Sequence, residues 1–387
     1  MRVGVVAGEA SGDTLGAGLI AAIKEQVPET EFVGIAGPGM IAAGCEPWYH
    51  AEELSVMGLA EVLLHLPRLL RLRRKLLRRL RAARLDVFVG IDSPDFNLPV
   101  EAALKRAGIP TVQYVSPQVW AWRQSRVAGV RRAADLVLCL LPFETGFYEA
   151  HGVNARFVGH PLADEVPSET KKSDARASLG LPVSGPCLAI LPGSRTAEVS
   201  RLARPFLETA KWLSTGRPDL RVIVGLANET TRTVFSEQSQ DVGLDPPPRL
   251  FTGRAREVMG AADAVLTASG TASLEVLLTK RPMVVAYIIS GITHRLLRLL
   301  GLNRLDYFSL PNLLAGRQIV PEYLQRDVRP EILGPALEAY LDGADRQGGD
   351  RGWYDVFGTI HQQLRRGASA GAASAVLELL NNETDSP

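Results

Sequence analysis

A chain of 387 residues is more than one ordinary core needs and too little for four, so two or three domains are expected. Hydrophobic residues make up 46% and charged residues 22%, and 43 Lys and Arg against 42 Asp and Glu leave a formal charge of +1, which describes a globular polymer and excludes a wholly cationic nucleic-acid binder. The opening MRVGVVAGEASGD does not read as an export leader, and charged side chains interrupt every apolar run before it reaches the length of a bilayer span.

In chain order, residues 2–7 (RVGVVA) read as a strand, followed by a glycine-containing turn and a helix over 14–27. Strands are expected at 31–36, 86–91, 111–115 and 136–140, with helices at 97–107 and 127–133. Short strands, apolar along their whole length and separated by helices, predict a mostly parallel sheet. The composition turns polar over 167–186, the best candidate for a link between domains. The pattern then restarts, with strands at 187–191, 220–224, 264–267 and 283–287, helices at 200–215 and 272–278, and a polar, proline-rich surface segment running to residue 250. Helical patterns over 354–366 and 369–380 either brace the first domain or end the second. Cys45, Cys139 and Cys187 lie far apart and read as buried thiols of a reducing compartment, not as a disulfide framework or a zinc site. The expected fold class is α/β, with two Rossmann-like domains facing across a cleft: residues 1–166, residues 185–350, and a tail of helices over 351–380. Ligands of such sheets bind beyond the carboxyl ends of the strands.

Four loops at such ends carry candidate chemistry. The first, Gly8-Glu9-Ala10-Ser11-Gly12-Asp13, holds two carboxylates where a dinucleotide fold would cradle phosphate, so phosphate binding there is disfavoured. Asp13 either caps the following helix or joins Glu9 in binding an acceptor or moving a proton. Asp92, directly after the strand at 86–91, is a general-base candidate, and Asp95 is expected to cap the next helix. In the second domain Gly193, Ser194 and Arg195 offer a turn, a hydroxyl and a rigid donor fork suited to phosphate. Ser269, Gly270 and Thr271 open a helix whose N–H groups suit a diphosphate, and Glu275, one turn on, suits paired sugar hydroxyls. With no GxxxxGK[ST] sequence, P-loop hydrolysis of ATP is disfavoured. Residues 37–42 read as a structural turn. The segment 114–123 (YVSPQVWAWR) is expected to form a rigid aromatic loop above the sheet, either as a packed plug or as a wall for a sugar or lipid.

Between Arg68 and Arg84 stand nine basic residues and no acidic one: Arg68, Arg71, Arg73, Arg74, Lys75, Arg78, Arg79, Arg81 and Arg84. The interleaved leucines cover an arc of about 160° on a helix. Such a helix packs its leucines on the sheet, binds nucleic acid, or meets an anionic lipid surface. The last reading is preferred, with Arg68, Arg71, Arg74, Lys75, Arg78 and Arg81 as the contact and the apolar residues from 56 to 64 entering the interface. A second leucine-rich stretch over 287–302 is a weaker candidate for the same plane. No nucleic-acid partner is expected.

Eight segments spread along the chain carry a family resemblance: VAGEASGD (6–13), VMGLAEVL (56–63), FVGIDSPDFN (88–97), YVSPQVWAWR (114–123), LPFE (141–144), LPGSR (191–195), ASGTASLE (268–275) and SLPNLLAGR (309–317). The chain resembles the lipid-A-disaccharide synthases, bacterial glycosyltransferases of the two-Rossmann-domain GT-B class. The resemblance implies an inverting transfer from UDP-2,3-diacylglucosamine to 2,3-diacylglucosamine 1-phosphate (lipid X), giving a β-1,6-linked disaccharide 1-phosphate and UDP. It implies no metal and no cofactor, and a peripheral place on the cytoplasmic face of the inner membrane. By the same resemblance Asp92 is the leading base, Glu9 and Asp13 share or support that role, and Arg195 with Ser269–Thr271 holds the diphosphate. Glu275 would hold the ribose, Asn312 of the SLPN motif is a catalytic or donor-positioning candidate, and a tail helix returns to the first domain. The competing readings are another GT-B UDP-sugar transferase, a UDP-sugar epimerase of envelope synthesis, and a non-enzymatic membrane adaptor. Oligomeric state is not legible in the sequence.

Overall fold

Valine-rich runs with both faces buried form the central strands, as parallel sheets require. The computed structural model describes residues 1–54, 59–122, 124–289, 306–342 and 352–384. Of the expectations above, the apolar residues at 56–58, Arg123, and most of the second leucine-rich stretch (290–302) lie outside the described residues. The chain divides into two compact units, one of Met1–Asp164 with Leu364–Pro387 and one of Glu165–Gln363.

In the first unit, β1 (Arg2–Ala7), β2 (Glu31–Ala36), β3 (Cys45–His50), β4 (Val87–Ile91), β5 (Thr111–Tyr114), β6 (Leu136–Cys139) and β7 (Ala155–Phe157) form one parallel sheet in the order β3-β2-β1-β4-β5-β6-β7. The order reverses between β1 and β4, where Ala7 stands opposite Ile91. One face is covered by α1 (Ala10–Gln26), which buries Leu19, Ile20 and Ile23. The terminal helix Ala368–Thr384 lies alongside α1 and contributes Ala372, Ala373, Ala375 and Val376 to the same core. The preceding helix, Gly352–Leu364, groups with the second unit up to Gln363. After the short α2 (Pro38–Ala42) come α3 (Leu59–Ala82) and α4 (Pro94–Lys105), which cover the opposite face. Leu72, Leu76 and Leu80 of α3 pack there with Val6, Val33, Phe88, Val100 and Leu104. Burying a leucine in this way contributes about 1.5–3 kcal/mol, which explains why a helix so rich in arginine stays on the sheet.

The second unit repeats the plan with β8 (Cys187–Leu191), β9 (Arg221–Leu226), β10 (Arg249–Thr252), β11 (Ala264–Ala268), β12 (Met283–Tyr287) and β13 (Glu322–Leu324), ordered β10-β9-β8-β11-β12-β13. Its reversal falls between β8 and β11. The polar stretch at 167–186 is not a bare link. It contains the helix Lys172–Ser178, whose Arg176 is 2% exposed and, with Lys172, bridges Asp263 at 2.8 and 2.5 Å. The polar segment before residue 250 likewise contains a helix, Glu229–Val242, started by the Asn228 side chain accepting from Thr231 N–H and ended by a left-handed Gly243. Cys45, Cys139 and Cys187 are buried and unbridged, and burial pushes the Cys45 and Cys187 thiols up to about 12.

Candidate functional site

Open parallel sheets bind ligands where the strand order reverses, because the flanking loops part there. In the first unit that point carries Glu9 after β1 and Asp92 after β4. The loops touch: a Cβ on Gly8 would lie 2.6 Å from Ser93 Oγ. Asp92 is half-buried, and among the described residues its carboxylate has no hydrogen-bond or ion-pair partner. Its backbone and that of Ser93 are left-handed, at φ 53° and 42°. L-residues hold that region at a cost of about 1–3 kcal/mol each and do so chiefly at functional sites. Glu9 is exposed, occupies the N-cap position of α1, and makes no capping bond with its side chain.

Two first-loop expectations are corrected. The helix begins at Ala10, not at residue 14, so Asp13 sits inside α1 and does not cap it. The Asp13 carboxylate, 8% exposed, instead accepts from the N–H groups of Gly37, Gly39 and Met40 at 3.0, 2.8 and 2.9 Å. It satisfies the start of α2. Residues 37–42 are accordingly a capped helical turn. Asp95 is exposed and pairs with Arg126 at 2.5 Å, making no cap.

The aromatic segment and the LPFE segment meet through a residue that sequence reasoning passed over. Glu144 is 4% exposed and accepts from Ser116 Oγ at 2.5 Å, Trp120 Nε1 at 3.1 Å and Leu141 N–H at 3.1 Å. Burial raises its carboxyl to about 7, against the pull of those three donors. Tyr148 is fully buried and donates to the Pro117 carbonyl at 2.6 Å. The segment from Tyr114 to Trp120 is thus a pinned plug, with a short helix at Val119–Trp122. The available signal was the glutamate three residues after Leu141, at the start of a helix.

In the second unit the loops after β8 and β11 flank the reversal. Gly193 takes φ 109°, which a side chain would resist, and a Cβ there would stand 2.6 Å from Glu198 Oε2. Glu198 accepts from Arg195 N–H at 3.3 Å and from Tyr287 Oη at 3.1 Å, so it steadies the turn from inside. The Arg195 side chain is 75% exposed, with its guanidinium 4.0 Å from Glu198 Oε1, and Ser194 is exposed. Gly270, at φ 119°, precedes the helix Thr271–Leu278, and Ser269 Oγ donates to the Phe308 carbonyl at 3.2 Å. Glu275 is mostly buried beside Arg256 at 3.5 Å, which also pairs with Glu165 at 2.5 Å. Burial raises the Glu275 carboxyl and the Arg256 guanidinium partly offsets it.

Asn312 is bonded into its own loop. It is 0% exposed, and its amide is fully used: Oδ1 accepts from Ile319 and Val320 N–H at 2.7 and 3.0 Å, and Nδ2 donates to Val320 O and Glu322 Oε2 at 2.9 Å each. Glu322 also accepts from Phe308 and Ser309 N–H. Asn312 therefore brackets the loop next to Ser269.

On α3, Arg71, Arg74, Lys75 and Arg78 are exposed and make no ion pair among the described residues. Arg68 donates to the Glu53 carbonyl, Arg81 donates to the Ala103 carbonyl, and Arg79 stacks 4.3 Å over Trp48. Leu72, Leu76 and Leu80 are committed to the core, and among the described side chains of this stretch Leu66 is exposed, at 43%, with Leu69, Leu70 and Leu77 half-buried. Among the described residues no helix is long and apolar enough to cross a membrane, and no group of three His, Cys, Asp or Glu is placed to hold a metal.

The doubly wound plan repeated in two units is that of the GT-B glycosyltransferases and their epimerase relatives. UDP-GlcNAc 2-epimerase from Neisseria meningitidis, solved bound to UDP-GlcNAc, superposes with a TM-score of 0.65 at 11% identity, covering 99% of this chain and 100% of that one. The calicheamicin glycosyltransferase CalG4 gives 0.56 at 16%, covering 100% and 99%. Such low identities speak for fold alone. Sequence carries the assignment further: the family described as Lipid-A-disaccharide synthetase matches residues 3–376. The Lipid-A-disaccharide synthase of Pseudomonas aeruginosa (strain LESB58) is 51% identical over 381 residues, 98% of each chain. The chain belongs to the lipid-A-disaccharide synthetase family.

Proposed function

We propose that the chain transfers the diacylglucosaminyl group of UDP-2,3-diacylglucosamine to the 6-hydroxyl of 2,3-diacylglucosamine 1-phosphate. The bond from the anomeric carbon to the UDP oxygen breaks, the acceptor oxygen bonds to that carbon from the opposite face, and UDP leaves. Asp92 takes the hydroxyl proton, since its carboxylate is half-buried, without a partner and set at the strand-order reversal. Glu9, on the neighbouring loop, binds the acceptor. Arg195 and the helix start at Ser269–Thr271 stabilise the charge that builds on UDP, with Gly193 and Ser194 shaping the approach and Glu275 receiving the ribose. Asp13 and Asn312 support these loops from within. The single observation that carries this reading is the family match over residues 3–376.

Both substrates are lipids, so the enzyme works at a membrane surface. We place it peripherally on the cytoplasmic face of the inner membrane, with Arg71, Arg74, Lys75 and Arg78 facing anionic lipid and contributing about 1 kcal/mol each near the surface. The test incubates the protein with both lipids in detergent micelles and follows disaccharide and UDP by mass spectrometry. Wild type should form product and Asp92→Asn should be slower by about 10²–10⁴-fold. No product from wild type overturns the reaction, and equal rates overturn the base. Reversing charge at Arg71, Arg74 and Arg78 should reduce binding to anionic vesicles, most at low salt. Unchanged binding overturns the surface.

A further inference from the structure

Left-handed backbone at two successive L-residues persists only when the surroundings hold it. At Asp92 and Ser93 the hold comes from two buried side-chain amides. Asn97 Nδ2 donates to the Asp92 carbonyl at 2.9 Å, and Gln113 Nε2 donates to the same oxygen at 3.2 Å. The Asp92 N–H in turn donates to the Tyr114 carbonyl at 2.8 Å. Neither amide serves Asp92 alone. Asn97 Nδ2 also lies 3.3 Å from the Ile91 carbonyl and 3.4 Å from that of Val6, at the ends of β4 and β1. Gln113 Nε2 reaches the Tyr114 and Val115 carbonyls at 3.4 and 3.2 Å, and Val115 is itself left-handed at φ 75°. Three strand ends and three unfavourable backbone positions are thereby tied to two side chains.

Asn97 and Gln113 are both 0% exposed. The oxygen of each amide is buried without a partner. An apolar side chain of similar volume would remove that unmet amide oxygen but also the donor bonds to the strand-end carbonyls, so the donors, not the packing, account for these residues. We propose that Asn97 and Gln113 are positioning residues for catalysis: by pinning the Asp92 carbonyl they fix the direction in which its carboxylate leaves β4, and so its aim at the acceptor hydroxyl. The proposal rests on Asp92 being the base, and its test separates the two.

Asn97→Leu and Gln113→Met keep volume and remove the donors. Each should lower kcat by about 10–100-fold, the penalty of a small misplacement. KM for the UDP-sugar should stay within about twofold, because the donor loops belong to the other unit. On an Asp92→Asn background the same changes should alter the residual rate by less than about threefold, since an aim already lost cannot be lost again. Equal losses in both backgrounds, or a raised KM with kcat unchanged, would overturn the clamp while leaving the base intact. A wild-type rate from Asp92→Asn alone would overturn the base, and the clamp with it. If thermal unfolding shows that Asn97→Leu does not fold, Gln113→Met and Asn97→Ser complete the same cycle.

Discussion

Replacing Asn312 by alanine separates a structural asparagine from a catalytic one. The substitution strips an acceptor from two backbone N–H groups and a donor from the Val320 carbonyl and the Glu322 carboxylate. Val320 is 2% exposed, so its orphaned N–H costs about 1–3 kcal/mol, whereas Ile319 is half-exposed and water recovers most of its bond, leaving a loss of about 0.5–1 kcal/mol. Glu322 keeps its bonds from Phe308 and Ser309 N–H and loses one of three donors, for about 1 kcal/mol more. The sum is about 2.5–5 kcal/mol. For a unit the size of Glu165–Gln363 each kcal/mol moves Tm by about 2–4 °C, so a fall of about 5–20 °C is expected. Circular dichroism melts read it directly, with the exposed Ser194→Ala as a control expected within about 0.5 kcal/mol of wild type. Well below the lowered Tm, kcat should stay within about tenfold of wild type. An Asn312→Ala protein that melts like wild type yet has lost its activity would show that the amide acts on substrate and would refute the reasoning.

Two further outcomes follow from buried carboxylates. Glu144 has a folded pKa of about 7 against an ordinary 4.5, so the folded state binds the extra proton. The stability it contributes is fully present below about pH 4.5 and is lost as pH rises through about 7, by about 3 kcal/mol in all. Urea unfolding at pH 5.5 and pH 8 should show about 2 kcal/mol of that loss in wild type and a clearly smaller change in Glu144→Gln, and equal changes would count against the assignment. Asp13→Ala leaves the N–H groups of Gly37, Gly39 and Met40 without an acceptor and should cost about 3 kcal/mol, read by the same melts. Its kcat should change by less than about tenfold, and a hundredfold fall in an intact fold would return Asp13 to the catalytic set.

The central strands were legible because burial on both faces writes itself as uninterrupted Val, Ile and Leu. β3, β7, β10 and β13 were not, since they are edge strands and carry Glu46, Pro47, Arg156, Arg249 and Glu322 among few apolar residues. The place of Asp92 directly after β4 was legible. The left-handed backbone there was not, because the groups bonded to it, Asn97 and Gln113, come from a helix turn and from a different strand. Asn312 shows the opposite limit: a motif marks a residue as important without saying whether it serves a ligand or its own loop. The leucine period of α3 revealed a face, and only packing revealed that Leu72, Leu76 and Leu80 are already covered.

The partnership of α1 with the helix Ala368–Thr384 sets an order on biosynthesis. The first sheet is synthesised early, yet the helix that completes its α1 face leaves the ribosome only after residues 165–363 have been made. At roughly 5–20 residues per second that interval is about 10–40 s. Throughout it, part of the surface around Leu19, Ile20 and Ile23 stays uncovered, and at its end the second unit has its whole chain in hand. The unit synthesised first is therefore the last to finish folding, and its half-covered α1 face is what a chaperone would meet on the nascent chain.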